Sequence, residues 1–237
     1  MSLKSKVFAA ATTLTLVGGV ATAGAMTAGT ASAATPSCGQ TCVNLFVQTF
    51  STHRNPNFVL DSFKQRQSVG NPVILFRSSN SDPAEDFTVS EQGTVNDFFK
   101  AGLVSSALNL HYGGGAAGFP NDEAYEIEYS PYGADTGLCM GTGSTAANYT
   151  TVSLQPCGVS AKTVWVVDSA KSIRGNYVPL INGSDTNFST PYVLTYPQDK
   201  YPTDTPRAQL ITLAIQGYST GTVFDRQMWS ADFGPLN

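Results

Sequence analysis

Among the 237 residues, those able to do covalent chemistry are few and poorly placed for it. Gly217-Tyr218-Ser219-Thr220-Gly221 reproduces the pattern that sets a nucleophilic serine on a sharp strand-to-helix turn. In that arrangement the acid and the histidine come later in the chain, whereas both histidines here, His53 and His111, precede Ser219. Glu126 and Glu128 flank Ile127, so a strand would point both carboxylates to one face, the raw material of a glycosidase. With Tyr125, Ile127 and Tyr129 on the opposite face, the same pattern predicts the wet side of a half-buried strand. Gly141-Thr142-Gly143-Ser144 lacks the lysine of a phosphate loop, and no Asp-x-Asp-x-Asp-Gly calcium loop occurs. Cys38 and Cys42 have only two distant histidines as possible zinc co-ligands. No enzyme activity, metal or cofactor is expected.

The elements that carry these residues begin after an export leader. Lys4 and Lys6 precede an apolar stretch from Val7 to Ala25 that thins into Ala31-Ser32-Ala33, a small-x-small cleavage signature. Thr12, Thr13, Thr15, Gly18, Gly19 and Thr22 make the stretch too polar for a permanent span. The pattern predicts a signal peptide over 1–33 and a secreted, extracellular domain over 34–237, with no membrane anchor. The net charge of −4 becomes more negative once the leader lysines are gone, which argues against a nucleic-acid partner. All four cysteines lie in the exported part, where thiols oxidise. Three pairings are open. Sequence proximity favours Cys38 with Cys42 and Cys139 with Cys157.

Beyond the leader, short apolar runs with period two are broken throughout by Gly, Pro, Asn, Asp and Ser, which predicts an all-β chain. Strands are expected at 43–49, 57–61, 72–76, 87–90, 108–112, 124–129, 151–155, 164–167, 177–181, 193–196, 208–215 and 227–231. Residues 95–107 could hold a turn or two of helix. The glycine-rich run from Gly113 to Gly118 predicts a loop.

A pattern also recurs three times. Val73 and Leu75 alternate and lead to Phe87; Val152 and Leu154 lead to Trp165; Ile211 and Leu213 lead to Trp229. One hairpin cannot bury its own face, but three can close a barrel plugged by their aromatics, leaving no sheet edge.

The second unit, with Cys139-Met140-Gly141, VSLQPCG and Thr163-Val164-Trp165, resembles the ricin-type β-trefoil lectin repeat. The third keeps Gln227-Met228-Trp229, and the first keeps Val59-Leu60-Asp61 ahead of Val73. The resemblance implies a β-trefoil of three pseudo-repeats, with longer loops at 98–120 and 198–205. It also implies a sugar site in each active unit: an acid accepting from two hydroxyls, a stacking ring, and an amide near the Gln-x-Trp.

Carried over, the first unit supplies Asp61 as the acid, Phe76 as the ring and Glu85 near the amide position. The second has Gly141 and Gln155 in the acid and ring places, and the third has Thr195 and Ala214, so both are expected to be silent. The reading that follows is a secreted, non-catalytic, monomeric carbohydrate-binding module. The alternative is a secreted trefoil scaffold whose long loops bind a protein or inhibit a protease.

Overall fold

The computed structural model describes residues 38–48, 58–79, 81–115, 121–172, 176–196, 209–215 and 225–233. The expected leader, His53, the loop 198–205 and Gly217–Gly221 lie outside the described residues.

Period-two alternation decides the architecture. The first unit contains β1 (Val43–Val47), β2 (Phe58–Ser62), β3 (Val73–Arg77) and β4 (Phe87–Thr94). The second contains β5 (Glu123–Tyr129), β6 (Leu138–Thr142), β7 (Val152–Pro156) and β8 (Val164–Val167). The third contains β9 (Leu180–Asn182), β10 (Tyr192–Thr195), the short β11 (Gln209–Leu210), β12 (Thr212–Ile215) and β13 (Trp229–Phe233).

The outer strands of each unit form a ring of six. β13 pairs with β1, β4 with β5, β5 with β8 and β8 with β9, all antiparallel. Bridges at Cys42–Thr88 and Val178–Trp229 complete the ring. The inner strands form three hairpins, β2–β3, β6–β7 and β10–β12.

Each hairpin also touches the next around a pseudo-threefold axis. The Leu154 amide donates to Asn71 O (2.8 Å), that of Val152 to Ile211 O (2.9 Å), and that of Ile211 to Val73 O (3.0 Å). A six-stranded ring capped by three mutually bonded hairpins is a β-trefoil.

Alternate residues of every ring strand point inward. Val43, Leu45, Phe87, Ile127, Tyr129, Trp165, Leu180 and Trp229 are buried in one cluster with Leu60, Leu75, Leu154 and Leu213 from the hairpins. The two indoles are held alike: Trp165 Nε1 donates to Met140 O and Trp229 Nε1 to Leu194 O, each at 2.9 Å. Phe87, with no N–H, fills the third place by packing alone, its ring 5.5 Å from that of Tyr129.

The segment expected to hold a strand at 108–112 is helical. α1 (Val95–Lys100) is closed by a capping box between Thr94 and Asp97. α2 (Ser106–Tyr112) starts where the Ser105 hydroxyl accepts from the Leu108 amide (3.1 Å). Leu108, Leu110 and Tyr112 alternate like a strand, but burial follows a spacing of four: Val104, Leu108 and Tyr112 are buried while Leu110 is exposed. This helical pair covers the outer face of the ring, where Val95, Phe98, Leu108 and Tyr112 pack on Ala124, Val164, Val166 and Ile181, with Val193 of the third hairpin alongside. Much of the long loop expected at 98–120 is therefore a packed second layer.

Both proximity-favoured disulfides are present, Cys38–Cys42 and Cys139–Cys157. β6, which carries Cys139, was legible only through the family resemblance. No helix among the described residues is long and apolar enough to cross a membrane.

Candidate functional site

Register places the three units on a common frame. Asp61 pairs with Ile74, Gly141 with Ser153 and Thr195 with Thr212, so Asp61, Gly141 and Thr195 occupy one equivalent position. A one-turn 3-10 helix precedes each core aromatic: Pro83–Glu85 before Phe87, Ala161–Thr163 before Trp165, and Asp225–Gln227 before Trp229. Glu85, Thr163 and Gln227 are therefore equivalent too, and each faces the strand position just named.

In the third unit the two positions close on each other. Gln227 Nε2 donates to Thr195 Oγ1 at 3.1 Å, both side chains being buried. In the second unit the turn sits so near the strand that a Cβ on Gly141 would lie 2.7 Å from Lys162 O and 2.9 Å from Thr163 Cγ2. No side chain fits there. The second and third units are thus closed at this position, one by glycine and one by a neutral hydrogen bond.

The first unit puts two acids in the same places. Asp61 is 3% exposed and Glu85 5% exposed, and Asp82 at the start of the turn joins them. One oxygen of each carboxyl lies within 4.8 Å of the other two. Asp82 Oδ1 accepts from the Ala84 amide and from Gln65 Nε2, both at 2.9 Å. Glu85 Oε2 accepts from the Ser79 amide (2.9 Å), whereas Oε1 is buried without a hydrogen-bond partner among the described residues. Burial, reinforced by the Asp82 charge, pushes the Asp61 carboxyl up to about 8. Burial likewise pushes Glu85 up to about 9, against the opposing Ser79 bond.

Phe76 lies on the same face of the β2–β3 hairpin as Asp61. It pairs with Val59, two residues along from the Asp61–Ile74 pair, and is half-buried. The β2–β3 turn forms the rim. Lys64 and Gln65 both hold a φ of 56°, a left-handed conformation costly for residues with a Cβ.

Asp61 and Glu85 are thus brought together, much deeper than a surface acceptor, and Phe76 lies on the same hairpin face as Asp61. Asp82 and Gln65 were not read from the sequence. The Asp82-Pro83 start of the turn was the available signal, since Asp caps such a turn and Pro fits its first position.

The other acid pair is corrected by the structure. Glu126 and Glu128 do not face water: they are 2% and 7% exposed. Glu126 accepts from the Gly158 amide (2.9 Å) and from the Thr163 hydroxyl. Glu128 Oε1 accepts from the amides of Thr136 (2.8 Å) and Gly137 (2.6 Å). Loops folded over the outer face of β5 cover them, and each carboxylate pins such a loop.

No family model matches the chain, and no curated protein matches it. Solved structures similar to it include a designed threefold-symmetric protein, ThreeFoil, at 13% identity and a TM-score of 0.48, covering 80% of this chain and 96% of that one. The β-trefoil lectin of the Vibrio vulnificus hemolysin/cytolysin, solved with N-acetyl-D-lactosamine bound, aligns at 10% identity and 0.42, covering 83% and 97%. An SDF2-like protein from Arabidopsis thaliana aligns at 12% identity and 0.44, covering 83% and 96%.

Proposed function

We propose that this chain is an exported, non-catalytic carbohydrate-binding module whose one working site is the outer face of the first hairpin. The observation that carries the reading is the contrast between units at one equivalent position. Two units are sealed there, while the first holds Asp61 beside Glu85, with the half-buried Phe76 on the same hairpin face as Asp61.

A pyranose offers a patch of C–H groups to a ring and a fan of hydroxyls to acceptors. Water removed from those hydroxyls must be replaced by specific polar contacts. Phe76 supplies the apolar face. The partly exposed Asp82 and the exposed Gln65 amide supply polar contacts at the rim, and Asp61 with Glu85 forms the floor. A single shallow site of this kind gives a dissociation constant on the order of 1 mM, about −4 kcal/mol. Retention on a polysaccharide would then come from several copies acting together. Export through the predicted leader and the two disulfides fit a protein meeting glycans outside the cell.

A glycan array with the purified protein, run beside Phe76→Ala and Asp61→Asn, tests this. Binding to a defined glycan class that falls roughly tenfold or more in Phe76→Ala is the expected result. An array blank for the unmodified protein, or signals indifferent to both substitutions, would reject the reading in favour of the protein-binding scaffold.

A further inference from the structure

We infer that Asp61, Asp82 and Glu85 form a calcium-binding site, built where the other two units close on themselves. The inference shares all three residues with the sugar reading but does not rest on it.

Three carboxyl groups converge there, from β2, from the start of the 3-10 turn and from its end. The turn contributes two of them because Asp82 caps it and Glu85 ends it, three residues apart. Among the described residues no lysine, arginine or histidine forms an ion pair with any of the three. The neutral donors present do not fill the site. The Gln65 amide and the Ala84 N–H both go to Asp82 Oδ1, and the Ser79 N–H goes to Glu85 Oε2. Glu85 Oε1 is left buried with no donor.

A buried oxygen without a donor is destabilising, and more so when charged. Proteins keep such groups where something outside the chain completes them. A cation does so here.

The chemistry of the set selects the ion. All three groups offer hard carboxylate oxygens, with no thiolate or imidazole among them, which fits calcium or magnesium rather than zinc or copper. Calcium binds oxygen at about 2.3–2.6 Å, so carboxyl oxygens that all lie within 4.8 Å of one another can share one ion. Magnesium demands near-ideal octahedral geometry and is usually held through only one or two carboxylates, so a set of three favours calcium.

The site escapes loop-pattern searches because its ligands come from two elements. No Asp-x-Asp-x-Asp-Gly run is needed when a strand and a turn converge.

The test is calorimetric titration of calcium chloride into the purified, EDTA-treated protein, without glycan, alongside thermal melts. The expected result is one site with a dissociation constant between about 1 µM and 1 mM, weaker binding of magnesium, and a higher melting temperature with calcium. Asp82→Asn and Glu85→Gln each should lower affinity at least about tenfold, whereas Asp135→Asn, on the exposed loop after Tyr132, should leave it unchanged. No heat and no melting shift up to about 10 mM calcium would overturn the inference, as would binding that survives both substitutions intact. Should a variant fail to fold, the titration of the unmodified protein with the Asp135→Asn control still decides. Calcium binding with a blank glycan array would reject only the sugar reading, and glycan binding without calcium would reject only this one.

Discussion

Glu85 stands where Gln227 stands in the third unit, two residues ahead of the core aromatic, yet it faces a carboxyl instead of a hydroxyl. An amide at that place can accept from the Ser79 N–H with its oxygen and donate to Asp61 with its nitrogen, as Gln227 donates to Thr195. Glu85→Gln should therefore stabilise the calcium-free protein by about 1–2 kcal/mol, because it removes a buried group lacking a donor. It also changes the pH dependence. Asp61 and Glu85 have folded values of about 8 and 9, above their ordinary 3.8 and 4.5, so the folded chain binds more protons than the unfolded one between those limits. The stability from these groups is whole below about pH 4 and is lost as pH rises through 8 to 9. Within that window each proton contributes a slope of up to about 1.4 kcal/mol per pH unit. Urea midpoints in EDTA should fall from pH 5 to pH 8.5 for the unmodified protein and fall less for Glu85→Gln. A midpoint that rises with pH would contradict the buried-acid arrangement.

At the scale of elements, the close approach of the Ala161–Thr163 turn to β6 explains why the second unit has a glycine where the first has an acid. The backbone of Gly141 needs no positive φ, so the demand is for space alone. Gly141→Ala should cost about 1–3 kcal/mol by overpacking, and Gly141→Asp more, so the lost acid cannot be restored by one substitution. A chemical melt of Gly141→Ala with an unchanged midpoint would show that the turn can move aside.

Legibility divides along the same line. The alternating strands and Phe87, Trp165 and Trp229 were readable because their pattern reflects local geometry and a dominant burial term. The helix Ser106–Tyr112 was not, since Leu108, Leu110 and Tyr112 satisfy period two while the partner that chooses between periods, the outer face of β5 and β8, is distant in sequence. The burial of Glu126 and Glu128 was hidden for the same reason: Gly158, Thr163, Thr136 and Gly137 come from segments that only the closed fold brings over β5. Of the acidic recess, Asp61 and Glu85 were legible through the repeat. Asp82 was not, because only the capped turn folds it back onto β2.

The whole molecule closes its ring between the first and last strands, so the β1–β13 pairing joins segments separated by almost the entire described chain. Contacts of such separation carry the largest loop-closure cost and form late. The disulfides act at two different ranges on this architecture. Cys139–Cys157 ties the two strands of the second hairpin across a separation of 18, while Cys38–Cys42 closes a separation of 4 just before β1. On the chain-entropy estimate the longer loop contributes about 3 kcal/mol and the shorter about 2 kcal/mol. The second hairpin bonds to both neighbours about the threefold axis, through Asn71 O on one side and Ile211 O on the other. Freeing it should loosen the cap as a unit. Replacing Cys139 and Cys157 together by alanine should thus lower the stability of the entire trefoil in one cooperative transition. Replacing Cys38 and Cys42 should cost less and leave amide protection in β6 and β7 unchanged. Hydrogen exchange on the two double variants separates these outcomes, and equal losses of protection in the second hairpin would show that the cap is not the unit of cooperativity.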